Sequence, residues 1–253
     1  MKSAPRVSPI YVTGPFDLNS VFRLIPCRPY TVSLNMAIDE ILMDSQNLAG
    51  IESMPTLRFY SWTRPAATAG YFQKLGDLTR RLDFRKRGLE MVRRLTGGGL
   101  VLHGPDLTFS LSMKIPHPLL AGNVKDSYLK INEVLLAGLG TFYKGLDFAD
   151  CKTVPSGRGG GPERVCFEAP SCYDLLWNSK KVVGASQRRK NGVLLHQSSV
   201  FLDKDVSRVE KLIVAGFKKK WAIVFEEIPL KPDELERAKD AERKRYGSPE
   251  WAL

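Results

Sequence analysis

The sequence predicts an α+β fold, with helices packed on a mixed, largely antiparallel β-sheet. Three observations lead there. Strand-like and helix-like stretches intermingle without the strict βαβ alternation of a parallel α/β fold. LTFSLSMK, residues 107–114, alternates cleanly, with Leu107, Phe109, Leu111 and Met113 on one face and Thr108, Ser110, Ser112 and Lys114 on the other. That is the pattern of a half-buried strand. KVVGASQRRK and VLLHQSSVFL flank Asn191-Gly192, and Asn-Gly is the preferred two-residue hairpin turn because both positions need positive φ.

The elements follow in order. After an irregular, Pro-containing start, TVSLNMAIDEILMDSQN reads as a helix, with Ser33 as its cap and Leu34, Ile38, Ile41 and Leu42 as its apolar stripe. LRFYSWT, 57–63, reads as a strand before the turn at Arg64-Pro65, and AATAGYFQ as a second. GDLTRRLDFRKRG reads as a short basic helix between Asp77 and Gly88. EMVRRL is a strand leading into Gly97-Gly98-Gly99, and DSYLKINEVLLAGLGTFYKG is the longest amphipathic helix. PSGRGGGPER, 155–164, is a loop by composition. DVSRVEKLIVAGF and KPDELERAKDAERKRYG close the chain as helices, with Pro232 in the first turn of the latter. No boundary divides the 253 residues, so 1–253 is read as a single domain.

Composition narrows the function. The 43% hydrophobic content suits a soluble globular protein. No apolar run is long enough to span a bilayer, and the start lacks the apolar core of a secretory signal, so a cytoplasmic location is expected and a membrane role is not. The 38 basic against 27 acidic residues leave +11, which points to an acidic partner. Nucleic acid fits poorly, because the basic runs are not interleaved with aromatics for stacking. The four cysteines, Cys27, Cys151, Cys166 and Cys172, form no CxxC pair, and the three histidines lack ligand spacing, so neither a zinc site nor a disulfide is expected.

Three segments carry chemistry. Gly97, Gly98 and Gly99 permit a backbone that a ligand can approach closely, or a tight turn between strands. Neither a Walker loop nor a dinucleotide fingerprint fits them. If residues 181–189 are extended, Lys181 shares a face with Val183 and Ala185, and an ammonium there wants a partner. Cys166, near Arg158, Glu163 and Arg164, has the most electropositive setting of the cysteines, and a thiolate is the usable nucleophile. Cys172, in PSCYDLLW, stands second.

Together these segments resemble the lipoate–protein ligase and octanoyltransferase family, which is related to biotin–protein ligases. NMAIDEIL is similar to the family's first helix, LRFYSWTRPAATAGYFQ to its RFY-W and GYFQ stretch, RRLTGGGLVLH to its RR-x-(S/T)-GGG-x-V-x-H signature, and KKVVGASQ to its K-(V/I)-x-G-S-A-Q hairpin. The resemblance implies a biotin/lipoate ligase-like catalytic domain in which an octanoyl or lipoyl chain lies against Gly97, Gly98 and Gly99. Arg94, Thr96, His103, Gly184 and Ala185 would line the pocket, and Lys181 would hold the acyl carbonyl. In the cysteine-dependent octanoyltransferase branch the nucleophile lies in a segment similar to RVCFEAPSCYDL, which implies Cys166. That reading needs no cofactor. It takes octanoyl–acyl carrier protein as donor and a lysine of a lipoyl domain, or of a protein like the glycine cleavage H protein, as acceptor.

The alternative, an ATP-dependent ligase using magnesium, is implied by the glycine at position 99, which matches the ligases where many transferases of this branch carry arginine. No accessory domain of the kind many ligases carry is expected. GASQ replaces GSAQ, and HQSS lacks the usual glycine, so Ser198 is expected to narrow the pocket. A non-catalytic acyl- or nucleic-acid-binding protein is the third reading, and no helix-turn-helix supports it.

Overall fold

The computed structural model describes residues 20–76, 78, 88–120, 122–150, 152, 170–203 and 205–252. Its main sheet has six strands. Strand β1 (Val21–Tyr30) runs parallel to both β12 (Val224–Glu227) and β2 (Thr56–Trp62). From β2 the sheet continues antiparallel through β6 (Leu107–Lys114) and β11 (Val193–Val200) to β10 (Val183–Lys190). Three of its five strand pairings are therefore antiparallel and two parallel, the mixed, largely antiparallel sheet the sequence predicts. The Pro-containing start, whose Pro26 and Pro29 suggest a loop, instead forms a strand from Val21 onward: the register shifts between Ile25 and Arg28, around Pro26, and Pro29 pairs in register with Ser61. Val224–Glu227 was also missed, since only four residues of an edge strand leave little periodicity to read.

Helices cover both faces. On one, α2 (Val124–Leu139) and α3 (Val206–Trp221) pack Ile131, Val134, Leu135, Ile213 and Phe217 against Phe22, Leu57, Phe59, Phe109 and Leu111. The two helices approach so closely that a Cβ on Gly138 would lie 2.0 Å from the Leu212 carbonyl oxygen. On the other face, α1 (Val32–Ser45) and α4 (Pro232–Ala241) bury Val32, Met36, Ile38 and Ala238 against Tyr60 and Trp62.

This double cover corrects the half-buried reading of β6. Thr108, Ser110 and Ser112 are buried too, beneath α1 rather than beneath water. Two of them satisfy their hydroxyls on carboxylates: Thr108 donates to Asp106 and Ser110 to Asp39. The cap of α1 is Thr31, whose Oγ1 accepts from Leu34 N, and not Ser33. Two buried ion pairs cross-link the layers: Arg58 with Asp39 at 2.7 Å and Arg23 with Glu234 at 2.6 Å. The Asn-Gly hairpin is as predicted, with Asn191 at φ 51° and Gly192 at φ 72°. The basic helix of 76–88 and the glycine-rich loop of 155–164 lie almost wholly outside the described residues.

A small sheet holds the glycine segment. In it β3 (Ala66–Ala69) lies between β4 (Glu90–Arg93), parallel to it, and β5 (Val101–His103), antiparallel to it. The chain from β4 to β5 must therefore cross over the end of β3. A third sheet joins β7 (Asp147–Phe148), β8 (Leu175–Trp177) and β9 (Lys180–Lys181), and it carries the lysine.

Candidate active site

The crossing over β3 explains part of the glycine run. Gly98 has φ 88°, and its carbonyl oxygen would lie 1.9 Å from a Cβ on Gly70, the residue that follows β3. The closest approach thus comes from the protein's own backbone, at a glycine outside the triplet. Gly97 differs: a Cβ there would meet nothing within 4 Å. Its outer side is open, as a surface for a ligand needs.

Arg94 holds this turn from behind. Its guanidinium donates to the carbonyls of Gly97 (2.6 Å), Gly99 (2.8 Å) and Thr68 (2.9 Å), and to the hydroxyls of Thr96 and Ser186. Thr96 donates to Gln197 Oε1 at 2.7 Å, and Gln197 Nε2 donates to the buried Asp39 at 2.7 Å. A continuous polar network therefore links the glycine turn to α1. His103 is locked as well. Its Nδ1 faces Asp106 at 2.9 Å, its Nε2 faces Thr68 Oγ1 at 2.9 Å, and its ring stacks on Trp62 with centroids 3.9 Å apart. Burial alone would raise the Asp106 carboxyl. The His103 ring and the hydrogen bonds from Gly104 N and Thr108 outweigh it and hold the group below its ordinary value.

The predicted residues separate onto two cavities that meet at Ala185. The outer one, about 470 Å³, is lined by Gly98, Gly99, Tyr128, Asn132, Lys181 and Ala185, among others. Its volume lies in the range of small-molecule sites, roughly 300–1,000 Å³. The inner one, about 20 Å³, touches Arg94, His103, Gly184 and Ala185. It has room for about one water. Thr96 and Gly97 line neither, and Thr96 acts through its hydrogen bonds. Ser198 does not narrow the pocket, because its hydroxyl is taken up by His196 Nε2 at 2.8 Å and it lines neither cavity.

Lys181 reaches the outer cavity from β9, and its buried ammonium already has a partner that sequence reasoning missed: Asp174, at 2.6 Å. Cys172 lines the same cavity but is disulfide-bonded, which corrects the expectation that every cysteine is reduced and removes it as a free thiolate. Cys27 is free, yet burial pushes its thiol up. Cys166 lies outside the described residues. Among the described residues no group of three or more His, Cys, Asp or Glu is placed to hold a metal ion, and no helix is long and apolar enough to cross a membrane.

A lysine and an arginine-clamped glycine turn facing one cavity suit chemistry at the carbonyl end of an apolar chain. Residues 31–237 match the family described as the lipoyl protein ligase A/B catalytic domain. The chain belongs to this family. The octanoyltransferase LipM of Geobacillus kaustophilus is 36% identical over 236 residues, covering 87% of this chain and 83% of that one. That of Moorella thermoacetica is 41% identical over 178 residues, covering 69% of this chain and 61% of the relative's own length. In structure the chain is similar to a lipoate–protein ligase A bound with ATP, with TM-score 0.74 and 20% identity, over 90% of this chain and 97% of that one. This last likeness speaks to the fold alone. The sequence relatives place the family member in its octanoyltransferase branch, so the chain is an acyltransferase of protein lipoylation.

Proposed function

We propose that this octanoyltransferase moves its acyl group from octanoyl–acyl carrier protein through a thioester on Cys166 to a lysine of a lipoyl domain. The observation that carries the reading is the single cavity that brings Lys181, Gly98, Gly99 and Ala185 together. The acyl tail lies along the open glycine turn, and its carbonyl meets the Lys181 ammonium.

In the first half-reaction the Cys166 thiolate attacks the donor thioester carbonyl. Negative charge gathers on the carbonyl oxygen, where an ammonium in a water-poor cavity is worth far more than it is in bulk water. The carrier's thiolate then leaves. In the second, the acceptor's amine attacks the enzyme thioester, an amide forms, and the Cys166 thiol is released with the proton the amine gives up. One thioester replaces another and the amide is more stable than either, so the sequence needs no ATP. The formal charge of +11 draws acidic donor and acceptor domains to the surface.

The test is intact-mass analysis of the reduced protein after incubation with octanoyl–acyl carrier protein without ATP. One added octanoyl group, removable by hydroxylamine and absent in Cys166→Ala, is the expected result. An unmodified wild-type chain that instead forms an acyl-adenylate from free acid and ATP overturns the reading in favour of a ligase.

A further inference from the structure

We propose that Asp174 is a positioning residue, tying the Lys181 ammonium to the turn at Ser171–Asp174 and so setting where it meets the acyl carbonyl. The inference rests on the role given to Lys181 above. A lysine side chain carries about 2 kcal/mol of rotamer entropy, and an oxyanion donor is effective only when it is held in place before the charge develops. Here one carboxylate oxygen does the holding: Asp174 Oδ2 lies 2.6 Å from Lys181 Nζ and accepts from Ser171 N at 2.6 Å. An ammonium has three N–H donors in a fixed cone. Anchoring one of them restricts where the ammonium can point.

The anchor is itself rigid. Asp174 immediately precedes β8, whose Leu176 pairs with Lys181 in the sheet. Its backbone N–H donates to Ser171 O at 3.0 Å, and its carbonyl accepts from Ala149 N at 2.7 Å. Tyr173 sits in the left-handed region at φ 68°, and its carbonyl accepts from Asn132 Nδ2 at 2.9 Å. Asn132 belongs to α2, which is fixed in the core by the neighbouring Ile131 and Val134. A line of contacts thus runs from a buried helix through a constrained turn to the ammonium. Asn132 Oδ1 is left buried without a hydrogen-bond partner among the described residues, a cost that buys this placement of Tyr173.

A merely structural carboxylate is separable from this role. Asp174→Asn keeps an acceptor for Ser171 N and loses the charge that holds Lys181. Single-turnover acylation by octanoyl–acyl carrier protein, measured across donor concentrations, is the assay. Expected are a maximal rate about 10²-fold lower for Asp174→Asn and Asp174→Ala, as a displacement of about 1 Å typically costs, and a half-saturating donor concentration within about threefold of wild type. Asp174→Glu should recover to within about tenfold of wild type, and the melting temperature of Asp174→Asn should match the parent. Acylation of Asp174→Ala within threefold of wild type overturns the role, as does a loss that follows the melting temperature with no recovery in Asp174→Glu. If the wild-type chain takes up no octanoyl group, the transferase reading fails by itself, and the same variants then give their answer in the rate of acyl-adenylate formation.

Discussion

The glycine-turn wall and the lysine rim face one cavity but are built by opposite means. The wall is set into two sheets, and its polar groups are spent on each other: Arg94 on three carbonyls, Thr96 on Gln197, His103 on Asp106 and Thr68. The rim hangs on two-residue β9 and on a turn, with an ion pair to Asp174 on its reactive group. The wall's polar atoms therefore serve shape, whereas the rim's serve charge. Damage to the wall should appear first as lost stability, and damage to the rim as lost rate.

Lys181→Ala is the sharpest test of that division. Removal of one donor to a developing oxyanion costs about 10²–10³ in rate, so acylation should fall by that much while the melting temperature barely moves. A parallel loss of both would erase the distinction. Arg94→Leu should do the reverse of the rim variant. It leaves the buried carbonyl of Thr68 and the part-buried carbonyls of Gly97 and Gly99 without this donor, at about 1–3 kcal/mol for each group left unsatisfied away from water. Chemical denaturation should report a loss of about 3 kcal/mol or more, with activity falling because the turn no longer holds its form. A stable Arg94→Leu protein that is inactive only in binding would move Arg94 to the ligand side.

A smaller effect comes from His196, which lies behind the cavity floor in edge contact with the lining residue Tyr128. It is completely buried, and burial lowers its pKa to about 3. Gln187 Nε2 donates to its Nδ1, so its Nε2 carries the proton given to Ser198. The folded value lies below the ordinary 6.5, so the unfolded chain takes up the proton first. The stability this neutral ring allows is complete above pH 6.5 and drains away as pH falls towards 3, by about 1.4 kcal/mol per pH unit. His196→Gln should flatten that part of the stability profile, and an unchanged slope would show that the floor does not behave as the wall does.

Much of this was readable in the amino-acid order. The Asn-Gly hairpin, the core helices and the glycine turn each follow from short-range chemistry, and Lys181, Gly98 and Gly99 line one cavity. What escaped was long-range. Asp174 and Asp106 look like ordinary turn aspartates until folding sets them against Lys181 and His103. Asp39 looks like a surface residue of an amphipathic helix, yet it is buried beneath β6 and β11, because α1 covers a sheet face whose hydroxyls, read alone, imply water. Gly70 opens the GYFQ stretch, but the sequence does not say why it must be glycine; the crossing of another segment over β3 demands it. The disulfide at Cys172 could not be inferred from cysteine spacing either.

The edge of the small sheet has a consequence for how the protein is made. Arg93 N–H donates to Trp251 O at 2.7 Å, and Val92 bridges Ala252. The strand that launches the glycine turn thus waits for partners more than 150 residues downstream, a separation of 157 for the neighbouring Arg93–Glu250 contact. During synthesis the acyl-binding surface would be left with a raw border until those residues leave the ribosome. A chain ending before Glu250 should therefore hold the glycine turn less firmly than the full sequence does.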